Sequence, residues 1–536
     1  MKIAVEGCCH GELDNIYAAL LRLQEIDNVK IDLLICCGDF QAVRDQRDMG
    51  CLTVPPKYRA MQDFHKYYTG QKKAPILTIF VGGNHEAPNY LRDLYYGGWV
   101  APNIFYLGHS GVVKFGPLRI GGISGIFKYH DYHKGHFEIA PFNEESSRSA
   151  YHVREFEVLK LCELRESLDI FISHDWPKGV WRYGDYEAML KKKDHNGGLR
   201  ADIESNRLGN PGGEQVLRKV KPSFWFSAHL HCKFTAIVPH KDGSFTRFLA
   251  LDKCLPNRDF LQILDIDKES PSMMRSAGDD STNVGGDSSD GEAIPHKYTI
   301  DFDPEWLAIV KVNQRNISYS NEVKRPLVVA PSAATKELVV ELLRNKVGGH
   351  QVYKPIPLEQ SDAEPEFSEV KMKNYSVAEL KALFDKRGLQ FDGSLSKAAL
   401  QDLLLQNVGA DASAAAASKP AGQHGNDEVD ELDEDLTEER FSWPQNFAAT
   451  RKNPLDQRRY ILDLLQLDDD WPHQWGGADE HANATYCPPV AGQKRKVGNH
   501  NGQGQEEIVD NDHLDLDEDV VPSKTSGNDE EIELDI

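Results

Sequence analysis

The sequence predicts an α/β fold with parallel strand pairing in its first half. Three observations carry this. Short apolar runs, "MKIAVEG", "DLLICCGDF" and "PILTIFVGGNHE", are spaced far enough apart to leave room for a crossover helix between neighbours. The segment between the first two has helical spacing. Further apolar runs at 117–123, 169–173 and 223–227 continue the pattern.

Taken in order, "MKIAVEG" is a short buried strand, interrupted on its polar side by Glu6. Residues 14–26 follow as a helix with Ile16, Leu20, Leu23 and Ile26 on one face. The second strand is "DLLICCGDF", residues 57–69 are expected to be helical, and "PILTIFVGGNHE" is the third strand. "FTAIVPH" and "TRFLALDKC" alternate and are expected to pair antiparallel, closing the fold. Residues 124–152 make a long polar and aromatic insertion. A loop of this length in a compact domain is functional or disordered, and its interleaved Lys, His, Tyr and Phe favour function. Residues 269–293 are rich in Ser, Gly and Asp and are expected to be disordered. Beyond them "YTIDFDPEWLAIVKVNQ" and "KELVVELLRNKV" look folded. Residues 375–408 read as a generic helical hairpin, with a loose likeness to the SAP module. The organisation expected is 1–255, 256–408 with its insert, and an acidic low-complexity tail over 409–536. Within the tail, "FSWPQNFAATRKNPLDQRRYILDLL" is the one part able to fold or bind a partner.

The net charge of −23 is unevenly spread. About −20 of it lies beyond residue 408, leaving about −3 on the rest, so an acidic total does not exclude nucleic-acid binding by local basic patches. Nine cysteines in 536 residues do not make a disulfide framework. Cys8, Cys9, Cys36 and Cys37 fall in or beside apolar runs, which suggests a reducing compartment. The start carries too short an apolar run for a signal peptide, and no stretch reaches the length of a membrane span. A soluble, intracellular protein is the expectation.

The chemistry gathers where the apolar runs end. The first ends in Cys8-Cys9-His10, the second in Gly38-Asp39, the third in Gly83-Asn84-His85-Glu86, the run at 169–173 in His174, and "SFWFSAHLHC" in His229 and His231. A lone histidine beside an apolar run is usually a satisfied structural residue. Five such events in order, at the strand ends where ligands bind, are hard to read as packing. Two divalent cations a few ångströms apart would clamp both sides of an in-line displacement at phosphorus and lower the pKa of a water between them. An anionic carboxylate bridge, neutral imidazoles and an amide oxygen suit such a pair.

This order resembles the calcineurin-like metallophosphoesterases, which usually open with Asp-x-His. Here Cys8 stands at the Asp position. The strings "GCCHGELD", "CCGDFQAVR", "VPPKY", "GGNHEA", "YGGWVAPNIFYLG", "HDYHKGHFE", "SHDWP" and "WFSAHLH" resemble one branch more closely, the RNA lariat debranching enzymes. The likeness runs through about residue 255 and continues more weakly to roughly residue 350. It implies a β-sandwich flanked by helices, a smaller C-terminal domain and a disordered acidic tail. It implies hydrolysis of the 2′–5′ phosphodiester at the branch point of excised intron lariat RNA, in the nucleus, with two divalent metals. Asp39 would bridge them. Cys8, His10 and His231 would share the first metal with it, and Asn84, His174 and His229 the second. A thiolate at Cys8 favours Zn²⁺ or Fe²⁺, with Mn²⁺ expected to support activity; Cys9, on the opposite side of the extended chain, belongs to the core. His85 would be the general acid, or would only orient the phosphate. Glu86 is expected to brace the ligands. Asp175 would orient His174 or cap the next turn. Residues 124–152 resemble the lariat recognition loop, where Lys128, His130, Tyr132, His133 and Lys134 would contact phosphates and bases. Tyr67, Tyr68 and Trp99 could stack on bases or fill the core. "QKRKV" at 493–497 is a candidate nuclear import signal, and the acidic tail a site for protein partners.

Two rivals differ in class. A related phosphoesterase acting on phosphoproteins or nucleotides would keep the metal site; "GDFQAVR" in place of "GDxxDRG" counts against a serine/threonine phosphatase. A non-catalytic scaffold on the same fold would be expected to have lost ligands, and only the Asp-to-Cys change departs from the pattern.

Overall fold

The computed structural model describes residues 1–54, 56–266, 298–348, 350–353, 437–443 and 454–467. The insert 269–293, the hairpin 375–408, most of the tail and "QKRKV" lie outside these residues.

Fifteen strands run along the described chain. The first five are β1 (Lys2–Glu6), β2 (Leu33–Cys36), β3 (Thr78–Phe80), β4 (Gly98–Ala101) and β5 (Ile104–Tyr106). Next come β6 (Ser110–Phe115), β7 (Leu118–Ile123), β8 (Ile170–Ser173), β9 (Phe224–Ser227), β10 (Phe234–Pro239) and β11 (Phe245–Ala250). The last are β12 (Leu261–Asp265), β13 (Ile300–Phe302), β14 (His350–Tyr353) and β15 (Thr437–Arg440). One sheet has the order β12-β1-β2-β3-β5-β4 and a second the order β10-β11-β9-β8-β7-β6-β13; β14 and β15 form a separate pair. The pairings β1–β2, β2–β3 and β3–β5 are parallel, as are β7–β8, β8–β9 and β9–β11. β10 and β11 pair antiparallel, as their alternation predicts.

The sheets pack face to face. Strand alternation sends Ile3, Val5, Leu33, Ile35 and Ile79 into a core shared with Ile120, Ile170 and Phe226 of the second sheet. The other side of the first sheet, with Ala4, Leu34, Cys36 and Phe80, packs under helix α1 (Leu13–Asp27) through Ile16 and Leu20. The eight cysteines among the described residues are buried thiols rather than disulfides. No helix among these residues is long and apolar enough to cross a membrane.

Two sequence expectations need correction. Residues 57–69 are not one helix: a 3₁₀ turn spans Pro56–Tyr58, and a helix covers only Phe64–Tyr68. Gln62 at φ 48° breaks the chain before the helix. The strands β4, β5 and β6 escape sequence reading because glycines and Pro102 divide them into runs of a few residues.

The C-terminal elements share the sandwich's core. β13 extends the second sheet beside β6. Helix α2 (Pro304–Asn313) buries Trp306, Leu307 and Ile309, and is joined by Val339 and Leu343 of helix α3 (Ala333–Lys346). Arg119 on β7 grips Asp303 through Nε (2.6 Å) and Nη2 (2.8 Å) and also reaches Glu305 (2.9 Å). The foldable part of the tail is here as well. Phe441 and Trp443 zip onto β13, and helix α4 (Pro454–Leu464) lies on the edge strand β4. There the Gln457 amide accepts from Trp99 N (2.9 Å) and donates to Trp99 O (2.8 Å), completing the hydrogen bonds of that edge.

Candidate metal centre

Parallel pairing within both sheets brings the carboxyl ends of β1, β2, β3, β8 and β9 to one rim of the sandwich. All the predicted ligands stand there. Four sit on left-handed backbone: His10 (φ 45°), Asp39 (48°), His229 (64°) and His231 (47°). Such conformations cost on the order of 1–3 kcal/mol each for residues with a Cβ, and their concentration here marks strain held for a site. Two glycines make room. Gly38 has φ 116°, and a Cβ on it would overlap the His174 ring; a Cβ on Gly83 would overlap the Asp39 carboxylate.

The donor atoms of Cys8, His10, Asp39 and His231 lie within 4.8 Å of one another. His10 Nε2 and His231 Nε2 face each other at 3.2 Å. Asp39 turns its two oxygens in different directions. Oδ2 is 3.6 Å from His10 Nε2, while Oδ1 is 3.2 Å from His174 Nε2. His174 Nε2 is also 3.1 Å from Asn84 Oδ1, and its other nitrogen donates to Cys37 O (2.9 Å), which sets the ring's orientation. The His229 ring lies beside His174 with centroids 5.0 Å apart, and His229 N donates to Cys8 Sγ (3.1 Å). The buried Nδ1 atoms of His231 and His85 have no hydrogen-bond partner among the described residues.

The electrostatics suit cations. Burial opposes charge on the histidines, pushing His10 and His229 down to about 3 and His231 well below the usual imidazole range. Neutral imidazole is the metal-binding form. Burial alone would raise Asp39, but the neighbouring imidazoles of His174 and His85 outweigh it and hold the carboxyl well below its ordinary value. His174 moves up for the converse reason: burial lowers it, and Asp39 more than compensates. Burial and the Asp39 charge keep the Cys8 thiol well above its usual pKa, so deprotonation must accompany metal binding. One carboxylate aimed two ways, surrounded by one sulfur, one amide oxygen and four imidazoles, is a donor set that fits a pair of divalent cations.

The residues around the donors support them rather than joining them. Cys9 is in the outer core, as predicted. Glu86 accepts backbone N–H groups from Phe40 (2.7 Å), Gln41 (3.0 Å) and Gly83 (3.1 Å), so it ties the Asp39 and Asn84 turns together. The His85 ring stands 5.2 Å from that of His10, beside the donors rather than among them. Asp175 does not orient His174. Its carboxylate accepts from Trp176 N–H, capping the next turn, and from Phe127 N (3.0 Å), which fastens the 124–152 insertion to the end of β8.

Within the insertion, Tyr132 is only 8% exposed, packed in the core against Phe127, and cannot offer its face to a base. His133 is engaged by Glu155 (2.9 Å) and Lys134 by Asp131 (3.0 Å). Lys128 is half-buried, close enough for its charge to act on His229 and Asp175, and His130 is exposed. His130, Asp131 and His152 form a second group of close donors. Lys134 and Arg154 already neutralise that carboxylate, at 3.0 and 3.9 Å, and would repel a further cation. Tyr67 and Trp99 are buried in the core, and Tyr68 packs beside Phe64 and Tyr90.

Comparison with known proteins agrees with this architecture. Residues 1–233 match the calcineurin-like phosphoesterase family, and residues 243–371 match the lariat debranching enzyme C-terminal domain. The chain is 54% identical over 319 residues to lariat debranching enzyme A of Xenopus laevis, covering 59% of this chain and 55% of that protein. It is 49% identical over 361 residues to the lariat debranching enzyme of Gallus gallus, covering 64% and 62%. The aligned part thus spans little more than half of these relatives' length. For the lariat debranching enzyme of Arabidopsis thaliana the identity is 53% over 312 residues, 58% of this chain and 68% of that protein. On that coverage and identity, the chain belongs to the lariat debranching enzyme family.

Proposed function

We propose that this protein hydrolyses the 2′–5′ phosphodiester at the branch point of intron lariat RNA, linearising the intron for turnover. The observation that carries the reading is the Asp39 carboxylate, whose two oxygens face two separate donor sets at the rim of the sandwich. Cys8, His10, Asp39 and His231 would hold one cation, and Asp39, Asn84, His174 and His229 the other. When bound, such a pair supplies Lewis acidity at the phosphoryl oxygens and an acidified water. The thiolate of Cys8 and the imidazoles favour Zn²⁺ or Fe²⁺, with Mn²⁺ as a working substitute.

The chain's own groups do the rest. Glu86 and Cys37 O keep Asp39 and His174 in place. His85, next to the donors and with Nδ1 unpartnered among the described residues, gives a proton to the leaving 2′-oxygen. Lys128 brings a positive charge to the entrance, where the RNA backbone would lie. Lariats form in the nucleus, so the activity belongs there; "QKRKV" is the candidate import signal.

The test is a cleavage assay. Purified protein is offered a 2′–5′ branched RNA, a linear 3′–5′ RNA and an aryl phosphate, with Fe²⁺, Zn²⁺ or Mn²⁺ in turn. Cleavage confined to the 2′–5′ bond, and lost in His85→Ala, is the expected result. Cleavage of the aryl phosphate alone would discard the substrate. No cleavage with any metal would favour the scaffold.

A further inference from the structure

The insertion over residues 124–152 is a rigid support with one aromatic ring left in the open. Arg154, itself buried, holds three points of it at once. Nη1 donates to Asp131 O (3.1 Å), and Nη2 to Glu138 Oε1 (2.5 Å) and Ser149 O (3.1 Å). His152 Nδ1 meets Asp131 Oδ2 at 2.6 Å. The backbone N–H groups of Gly135 and His136 donate to Ser320 O (2.9 Å) and Ser318 O (2.8 Å), so the C-terminal region braces the loop's far side.

These ties fix a single helical turn, Tyr129–Tyr132. Asp131 and Tyr132 point inward, at 2% and 8% exposure. Tyr129 points outward and is 68% exposed; the next most open large aromatic among the described residues is Tyr58, at 38%. A single exposed apolar side chain is ordinary on a protein surface. Tyr129 differs in its setting. It lies between Lys128 and exposed His130, on a turn tied down through Asp131, and its Cα is one residue, about 3.8 Å, from that of Lys128. Just before it in the chain, Phe127 N donates to Asp175 (3.0 Å), the residue after His174, so this turn starts at the rim of the metal centre.

We propose that Tyr129 is a substrate-binding residue that stacks on a base of the RNA beside the branch point, with Lys128 and His130 meeting the flanking phosphates. This rests on the debranching reading above and gives it a residue that reads the nucleotide. An exposed aromatic face beside a lysine is what sequence-tolerant recognition of an unpaired base requires.

The experiment uses the full chain and its Tyr129→Ala, Tyr129→Phe and Tyr129→Trp variants. Substrates are a 2′–5′ branched RNA, the same RNA with abasic sites flanking the branch, and bis(p-nitrophenyl) phosphate. RNA binding is followed in parallel by fluorescence anisotropy. Tyr129→Ala is expected to raise KM and Kd for the branched RNA roughly tenfold, with kcat and aryl diester hydrolysis unchanged. Phe should match the wild type, Trp should bind as tightly or tighter, and the Ala penalty should vanish on the abasic substrate. An Ala variant within about twofold of wild type overturns the proposal. So does a penalty that persists on the abasic RNA, or a Phe variant as weak as Ala, since either means a contact other than stacking. A wild-type chain that binds RNA through Tyr129 without cutting the 2′–5′ bond overturns the debranching reading alone. One that binds no RNA overturns both.

Discussion

At position 8 a thiol stands where related phosphoesterases carry a carboxylate, and its neighbours show what that exchange asks of the site. The sulfur accepts from His229 N and sits against the Asp39 charge, so only a cation makes the thiolate the stable form. Cys8→Asp should keep the fold and move metal preference from Zn²⁺ or Fe²⁺ toward Mn²⁺. Metal titrations of aryl diester hydrolysis, read with metal content, check this; unchanged preference would mean that Cys8 is not a ligand. His85→Ala should lower turnover on branched RNA by about 10²-fold or more while metal content and RNA binding persist. Loss of metal would reassign the residue. A pH effect follows from burial. His229 is held at about 3, against about 6.5 in an unfolded chain. The unfolded chain therefore takes up a proton as the pH falls below about 6.5, and the folded imidazole does not. Stability from this residue is complete above that pH and is lost progressively toward about pH 3. His229→Asn removes the titration. In the metal-free protein, the stability difference between wild type and variant should fall by up to about 1 kcal/mol per pH unit on acidification. Thermal melts in chelator across the window measure it, and a flat difference would contradict the neutral imidazole.

The turns at the strand ends hold this chemistry, and two of them depend on glycine for space. Gly38→Ala forces a Cβ into the His174 ring on backbone already at φ 116°. It should sharply reduce metal content at modest cost to the fold, as elemental analysis alongside a thermal melt would show. Farther from the site, β7 is joined to the start of α2 by the buried Arg119–Asp303 pair. Asp303→Ala leaves a guanidinium buried without its main partner and should cost about 3–5 kcal/mol in urea unfolding. Legibility at this scale follows length and composition. β1, β2, β3 and β8 sit in short, largely apolar runs and can be read directly. The segment 57–69 carries helical spacing, yet Gln62 in the left-handed region confines the helix to Phe64–Tyr68. At β4 to β6, glycines hide strands that only their neighbours complete.

Across the whole molecule, the charge-rich C-terminal half is less separate than its composition suggests. Phe441, Trp443, Ile461, Leu462, Leu464 and Leu465 join the main core, and Gln457 closes the edge of β4. A chain ending at residue 436 should therefore melt about 10 °C or more lower than the full chain, because several buried side chains of about 1.5–3 kcal/mol each are lost. A truncation without effect on the melt would show that this segment is not part of the stable core. The order of donors along the chain, the parallel pairing of the strands that end in them and the long insertion were determined by the sequence alone, and the two-layer sandwich followed only from the family resemblance. Apolar runs and the residue types at their ends are local signals, and parallel pairing has few ways to arrange them. Which ring of the insertion faces outward, Tyr129 rather than Tyr132, was decided by the tertiary structure. So were the attachment of Asp175 to Phe127, the pairing of residues 441–443 with β13 and the docking of α4 on β4. Each depends on contacts between segments far apart in the chain, through buried side chains such as Arg154 and Gln457, and no local periodicity records such contacts.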